Sequence, residues 1–152
     1  MPVPDGQPPI TPGADVFSSD WLPGPEDGTG SPVVVSFTDF RATLDGDLAE
    51  IFRTGVDLGQ NWPIMSGAVG LWLWGKPSEL RGGSVSVWRT VDDLQRFVRW
   101  PVHAAIIKAW RDRIEVRAER WADPRFLAEE AWLRAEHYMR LPRTVSEPAT
   151  HG

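Results

Sequence analysis

Three histidines are present, and one stands where it can do chemistry. Counted from Pro101, a helix places His103 on one stripe with Ile106, Ile107 and Trp110, while Ala104, Lys108 and Arg111 face elsewhere. The imidazole is therefore expected to point inward. It also falls in the first turn of its helix, where the positive end of the helix dipole disfavours imidazolium. A neutral, inward imidazole can act as a general base, a hydrogen-bond donor or an axial ligand to iron. It can equally be a core histidine bonded to a backbone carbonyl. His137 reads as a surface residue of the last helix, and His151 lies near the C-terminal end.

Tryptophan is the second unusual feature, with nine against a single tyrosine. Each indole offers a large apolar plate and one N–H donor. Trp62, Trp72, Trp74, Trp88, Trp100 and Trp110 gather in and around a hairpin and the His103 helix, and the core accounts for several of them. Ser84 and Ser86 share a strand face with Trp88, and Gly70 shares one with Trp72. Small residues beside large ones leave room for a ligand. The expected site is thus an apolar pocket shaped by Trp62, Trp72, Trp88 and Trp100, with a small apolar molecule as its occupant. Asn61 either sets an amide at the pocket mouth or makes a simple turn. Arg99, with Arg96, borders Trp100 and either meets a ligand carboxylate or faces water.

Several chemistries are excluded. The absence of cysteine removes thiolate nucleophiles, disulfides, Cys-ligated zinc and iron–sulfur clusters. Glycine-rich phosphate loops, the G-x-S-x-G elbow, H-E-x-x-H and EF-hand patterns are also missing.

The elements that must position these residues follow from periodicity. Residues 33–40 form a β-branched and aromatic run, hence a strand. Leu48, Ile51, Phe52 and Val56 recur at helical spacing behind Asp45 or Asp47. Residues 68–74 and 84–88 are two further strands, joined by a breaker-rich loop over 75–83. Thr90 caps a helix with Asp92 and Asp93 in its first turn, and Pro101 kinks or restarts it. Residues 114–121 alternate as a fourth strand, with Glu115, Arg117 and Glu119 on the outer face of a sheet edge. Asp123-Pro124 opens a last helix over about 125–140, with Leu127, Ala131, Ala135 and Tyr138 on one stripe. The order β-α-β-β-α-β plus a helix is the α+β, ferredoxin-like, split-βαβ pattern.

The second strand is apolar on both faces, Val69, Leu71 and Leu73 on one and Trp72 and Trp74 on the other. Helices on one side leave the other face wet, so a second subunit packed sheet to sheet, a homodimer, is expected. Residues 1–32 carry eight of the 14 prolines, five of the 14 glycines and five acids without a base, and read as a disordered tail. Residues 33–142 then form the domain, and 143–152 a second tail. Beyond residue 32 the acids and bases balance at 16 each. No basic stripe suited to nucleic acid appears, nor an apolar run of membrane-spanning length, nor a signal peptide. A cytoplasmic protein is expected.

Read whole, residues 82–103 (Gly82-Gly83-Ser-Val-Ser-Val-Trp88-Arg-Thr-Val-Asp-Asp-Leu94-Gln-Arg-Phe97-Val98-Arg-Trp-Pro-Val-His103) resemble the dimeric α/β-barrel superfamily. A strand ending in S-V-W, a helix start, D-L-x-x-F-V and a histidine six residues after the phenylalanine carry the likeness. It extends over about 33–121 and is nearest to spheroidene-monooxygenase-like and antibiotic-biosynthesis-monooxygenase-like bacterial proteins. The Trp100-Pro101 interruption departs from the usual helix. The resemblance implies a secondary-metabolism enzyme, a monooxygenase, cyclase or isomerase without cofactor, acting on an apolar substrate, polycyclic ones included, with His103 at the chemistry. Its haem-using members imply an alternative in which His103 is the axial ligand. A non-catalytic dimeric binding module is the third reading.

Overall fold

The computed structural model describes residues 10, 12, 13 and 15–141. Four main strands carry the sheet: β3 (Val33–Ala42), β4 (Ala68–Lys76), β5 (Arg81–Trp88) and β6 (Ile114–Asp123). They lie in the order β4-β5-β3-β6, every pair antiparallel. Two short strands, β1 (Phe17–Ser18) and β2 (Leu22–Pro23), pair with β4 on its free edge. The helices are α1 (Asp45–Gly59), α2 (Val91–Arg99), α3 (Pro101–Trp110) and α4 (Ala128–Arg140). The chain order and strand order are those of a ferredoxin-like α+β fold.

Local rules explain most boundaries. Thr90 caps α2, its hydroxyl accepting from the Asp93 amide at 3.1 Å. Trp100 is extended, with ψ 128°, and Pro101 occupies the first position of α3, so the helix restarts there. The hairpin differs from its expectation. Its strands run on to Lys76 and back from Arg81, and a single tight turn at Pro77–Glu79 with Leu80 at φ 55° replaces a long loop. The glycines read as breakers are strand residues. The last helix begins at Ala128, later than expected, and its buried stripe is Ala131, Trp132, Ala135, Glu136 and Met139; Leu127 is exposed.

Two cores form, one on each face of the sheet. On one side Leu71, Leu73, Trp62, Trp88 and Leu94 pack with Phe52, Val56 and Phe97 from α1 and α2. On the other, Trp72, Trp74, Val85, Val87 and Trp121 pack under α4. Val69 belongs to this second core and not with Leu71 and Leu73, because the strand bulges between Ala68 and Gly70 and shifts the alternation.

The same face holds the largest departure from sequence expectation. Within the expected tail, residues 17–26 lie on the sheet. Trp21 is 4% exposed, stacked on Phe126 and tilted against Trp72. A Cβ on Gly70 would lie 1.9 Å from the Trp21 ring, and one on Gly75 2.4 Å from the Phe17 ring. The gap expected beside Trp72 is the seat of Trp21. Ser19 and Gly24 donate their amides to Leu73 and Val69, and Gly13 donates to the buried Glu136 carboxylate at 2.6 Å. Composition missed this because a few aromatic anchors and sheet hydrogen bonds can hold a proline-rich path that has no periodicity. The apolarity of this face therefore no longer asks for a second subunit, since α4 and the N-terminal segment of the same chain cover it. The expected second tail, 143–152, lies outside the described residues.

At the other end of the sheet the buried Asp39 carboxylate accepts from Arg81 at 2.9 and 3.3 Å and from Arg117 at 2.9 Å, tying β3 to both neighbouring strands. β6 is the sheet edge, as its alternation suggested, but Arg117 is turned to this ion pair.

Trp21→Ala should cost about 3–5 kcal/mol, as for other large-to-small changes in a packed core. A urea melt should show the midpoint falling steeply; an unchanged midpoint would mean that the segment does not pack on the sheet.

Candidate functional site

A cavity of about 290 Å³ lies between the sheet and the layer of α1, α2 and α3. Its floor is ordered by strand register. Ser36 of β3 stands opposite Ser86 of β5 and Arg120 of β6; one row along, Thr38 stands opposite Ser84 and Ala118. Side chains two apart on a strand share a face, so four hydroxyls form two short rows beneath the space, with Arg120 at the end of one. Phe52, Gly55 and Leu58 of α1 close one side, and Val98 with the α3 stripe closes the other.

His103, Ile106, Ile107 and Trp110 all line this cavity, as the helical count from Pro101 required. The ring of His103 lies 4.5 Å from that of Phe97, and its Nδ1 is 3.2 Å from the Val98 carbonyl. A carbonyl only accepts, so this bond needs the proton on Nδ1 and leaves Nε2 of the neutral ring as a free acceptor. Burial holds the His103 pKa below the ordinary 6.5, partly opposed by the Val98 hydrogen bond. The carbonyl partner of a core histidine and the free nitrogen of a base are both present in this one side chain.

Of the expected pocket residues, Trp62 joins His103 on the cavity wall. Trp62 is 1% exposed and its indole N–H has no acceptor among the described residues. Such an unmet donor costs about 1–3 kcal/mol when buried. Trp88 is wholly buried behind the wall, edge-on to Trp62, and donates to the Ser86 hydroxyl at 2.9 Å. Trp72 is not a pocket residue: it sits in the opposite core against Trp21 and Trp132. Asn61, Arg99 and Trp100 line a different, open groove outside α2, together with Ile64, Asp92 and Arg96. There the Asn61 amide donates to the Leu58 carbonyl, so its turn role is the one realised. Phe97 separates the two spaces and touches Trp62, Trp88, Trp100 and His103. Sequence reasoning missed Ser36, Thr38 and Arg120. Their signal was alternation along residues 36–40 and 114–120, legible only once the strand register is known.

Haem fits this space poorly. The cavity is at the small end for ligand pockets and smaller than a porphyrin plate, and among the described residues Arg120 is the single Lys or Arg lining it, for two propionates. No group of three or more His, Asp or Glu suited to a metal ion exists among the described residues. No described helix is long and apolar enough to cross a membrane.

No family model and no curated protein matches the chain. Solved structures do. A ferredoxin-fold protein from Listeria monocytogenes, related to antibiotic biosynthesis monooxygenases, aligns with TM-score 0.52 at 12% identity, over 72% of this chain and 63% of its own. A conserved protein of unknown function from Bacteroides thetaiotaomicron aligns with TM-score 0.53 at 9% identity, over 62% of this chain and 100% of its own. The fold is ferredoxin-like. SnoaB, a cofactor-independent oxygenase from Streptomyces nogalater, aligns at TM-score 0.49 and 17% identity, over 65% of this chain and 99% of its own.

The site makes a prediction about protons. His103 should titrate below 6.5 in an NMR pH series. Because the folded protein binds this proton less readily than the unfolded chain, stability should fall as pH drops through 6.5 and level off below the folded pKa. His103→Gln should flatten that part of the urea-stability profile; an identical profile in the variant would remove the linkage.

Proposed function

We propose that the chain is a small monooxygenase-type enzyme, working without a cofactor on a flat, mostly apolar molecule of a few fused rings that carries oxygen substituents. The observation that carries this reading is a histidine on the wall of an apolar cavity floored by hydroxyls, its Nδ1 turned to the Val98 carbonyl and its Nε2 without a partner among the described residues. The relation of the Listeria ferredoxin-fold protein to antibiotic biosynthesis monooxygenases supports oxygen chemistry on this scaffold.

His103 Nε2 takes a proton from an activated C–H or phenolic O–H of the bound ring. The Nδ1–H bond to Val98 fixes the tautomer that can do so and steadies the imidazolium that results. The Ser36, Thr38 and Ser84 hydroxyls offer donors to ring oxygens, and such bonds strengthen as negative charge develops. The substrate anion then supplies the electrons that reduce dioxygen. For a hydroxyanthrone, the ring methylene becomes a carbonyl, one oxygen atom enters the product, and the other leaves as water. The dry wall of Phe97, Ile106 and Trp110 keeps the anion from simple reprotonation by solvent. The same proton transfer without dioxygen would isomerise or cyclise a substrate, so oxygen uptake matched to product separates the two chemistries.

Dithranol, a 1,8-dihydroxyanthrone, tests the reading. The wild type should form the quinone with one dioxygen consumed per product, above the uncatalysed rate. His103→Ala should lower kcat by about 10²–10⁴-fold, the usual share of general-base catalysis, while Trp72→Phe, on the far face, should leave it within a small factor. Full turnover in folded His103→Ala would remove the base; loss in Trp72→Phe alone would place the chemistry on the other face.

A further inference from the structure

Arg120 is the one Asp, Glu, Lys or Arg side chain among the described residues lining the cavity. It has no ion pair or hydrogen bond among them; Arg81, Arg89, Arg96, Arg113 and Arg117 each meet a carboxylate, and of the arginines that do not, Arg120 is the one on this cavity. Its position is set by the sheet: residue 120 pairs with Ser36, whose other partner is Ser86, so the guanidinium stem caps a row of hydroxyls. With no carboxylate among the lining residues, nothing in the cavity offsets this positive charge or repels an anion.

We propose that Arg120 is the specificity-determining anchor of the cavity, and that its ligand carries an anionic oxygen group (a carboxylate, sulfonate or ionised phenol) on an apolar ring system. This rests on reading the cavity as the ligand site and narrows the ligand to an anionic class. A guanidinium presents paired donors that suit two oxygens of one group. The geometry orders the ligand along the floor: the anionic end at β6, the rings over Thr38 and Ser84, and the far edge toward Trp62. Arg99, for which the sequence left open a ligand carboxylate or water, lines the outer groove.

Two fluorescent probes with the same rings separate charge from shape. 8-Anilinonaphthalene-1-sulfonate is anionic, and N-phenyl-1-naphthylamine is its neutral counterpart. Arg120→Gln should weaken the sulfonate by roughly fivefold or more, at least about 1 kcal/mol, and leave the neutral probe within about a factor of two. Arg120→Lys should fall between. Arg120 is exposed, so these variants should fold. Ser84→Trp fills the floor and should displace both probes. If the sulfonate binds Arg120→Gln as it binds the wild type while Ser84→Trp still displaces it, the anchor is overturned and the cavity reading stands. If neither probe binds the wild type, or Ser84→Trp displaces neither, the cavity reading fails and the anchor with it.

Discussion

Everything in this molecule answers to a strand with no polar face. β4 is buried almost end to end, leucines on one side and tryptophans on the other. Exposing either side would leave several large apolar side chains in water, at about 1.5–3 kcal/mol each. The fold must therefore supply two coverings. One is the helical layer that the βαβ crossovers bring automatically. The other is assembled from the two ends of the chain, α4 and the segment around Trp21.

The two coverings differ in quality, and that difference is where function enters. Beneath α4 the packing is closed: aromatic rings stack, and glycines in β4 are cut away so that Trp21 and Phe17 can seat. Beneath α1–α3 the sheet surface near β3 and β5 carries serines and threonines, too short to fill the gap, and the gap is the cavity. A full core on one side lets the other side remain incomplete. The buried Asp39–Arg81–Arg117 cluster adds register: it ties the central strand to both neighbours, and the hydroxyl rows depend on that register.

The strands, the capped helix, the proline restart and the inward stripe of His103 could all be read from the sequence, because each is written in local spacing. The stripe is the clearest case, since one residue count put four side chains on the same cavity wall. What could not be read is what depends on register or on distant pairing. Trp72 and Trp62 look alike in sequence, yet one faces a closed core and the other a cavity, and only sheet topology separates them. Trp21 sits in a stretch whose composition argues for disorder, and its seat at Gly70 is nearly fifty residues away. Arg120 lies on a strand whose partner across the hydroxyl row, Ser36, is more remote still. Asn61, Arg99 and Trp100, expected at the pocket, stand on the outer side of Phe97 and line a separate groove.

The roof of the cavity is held at its joints. Along α3 only Trp110 is buried, at the far end, where Arg113 stacks over it at 4.1 Å and reaches Asp47. At the near end the helix begins on a proline after an extended residue, with the His103–Val98 bond beside it. Between these points α3 is a short rigid rod resting on the sheet layer rather than woven into it. Its other residues are half-buried or exposed, the kind of contact that local opening draws on first. His103 and the Ile106–Ile107 wall stand on that one helix, so the width of the cavity and the placement of the imidazole are set by the same element.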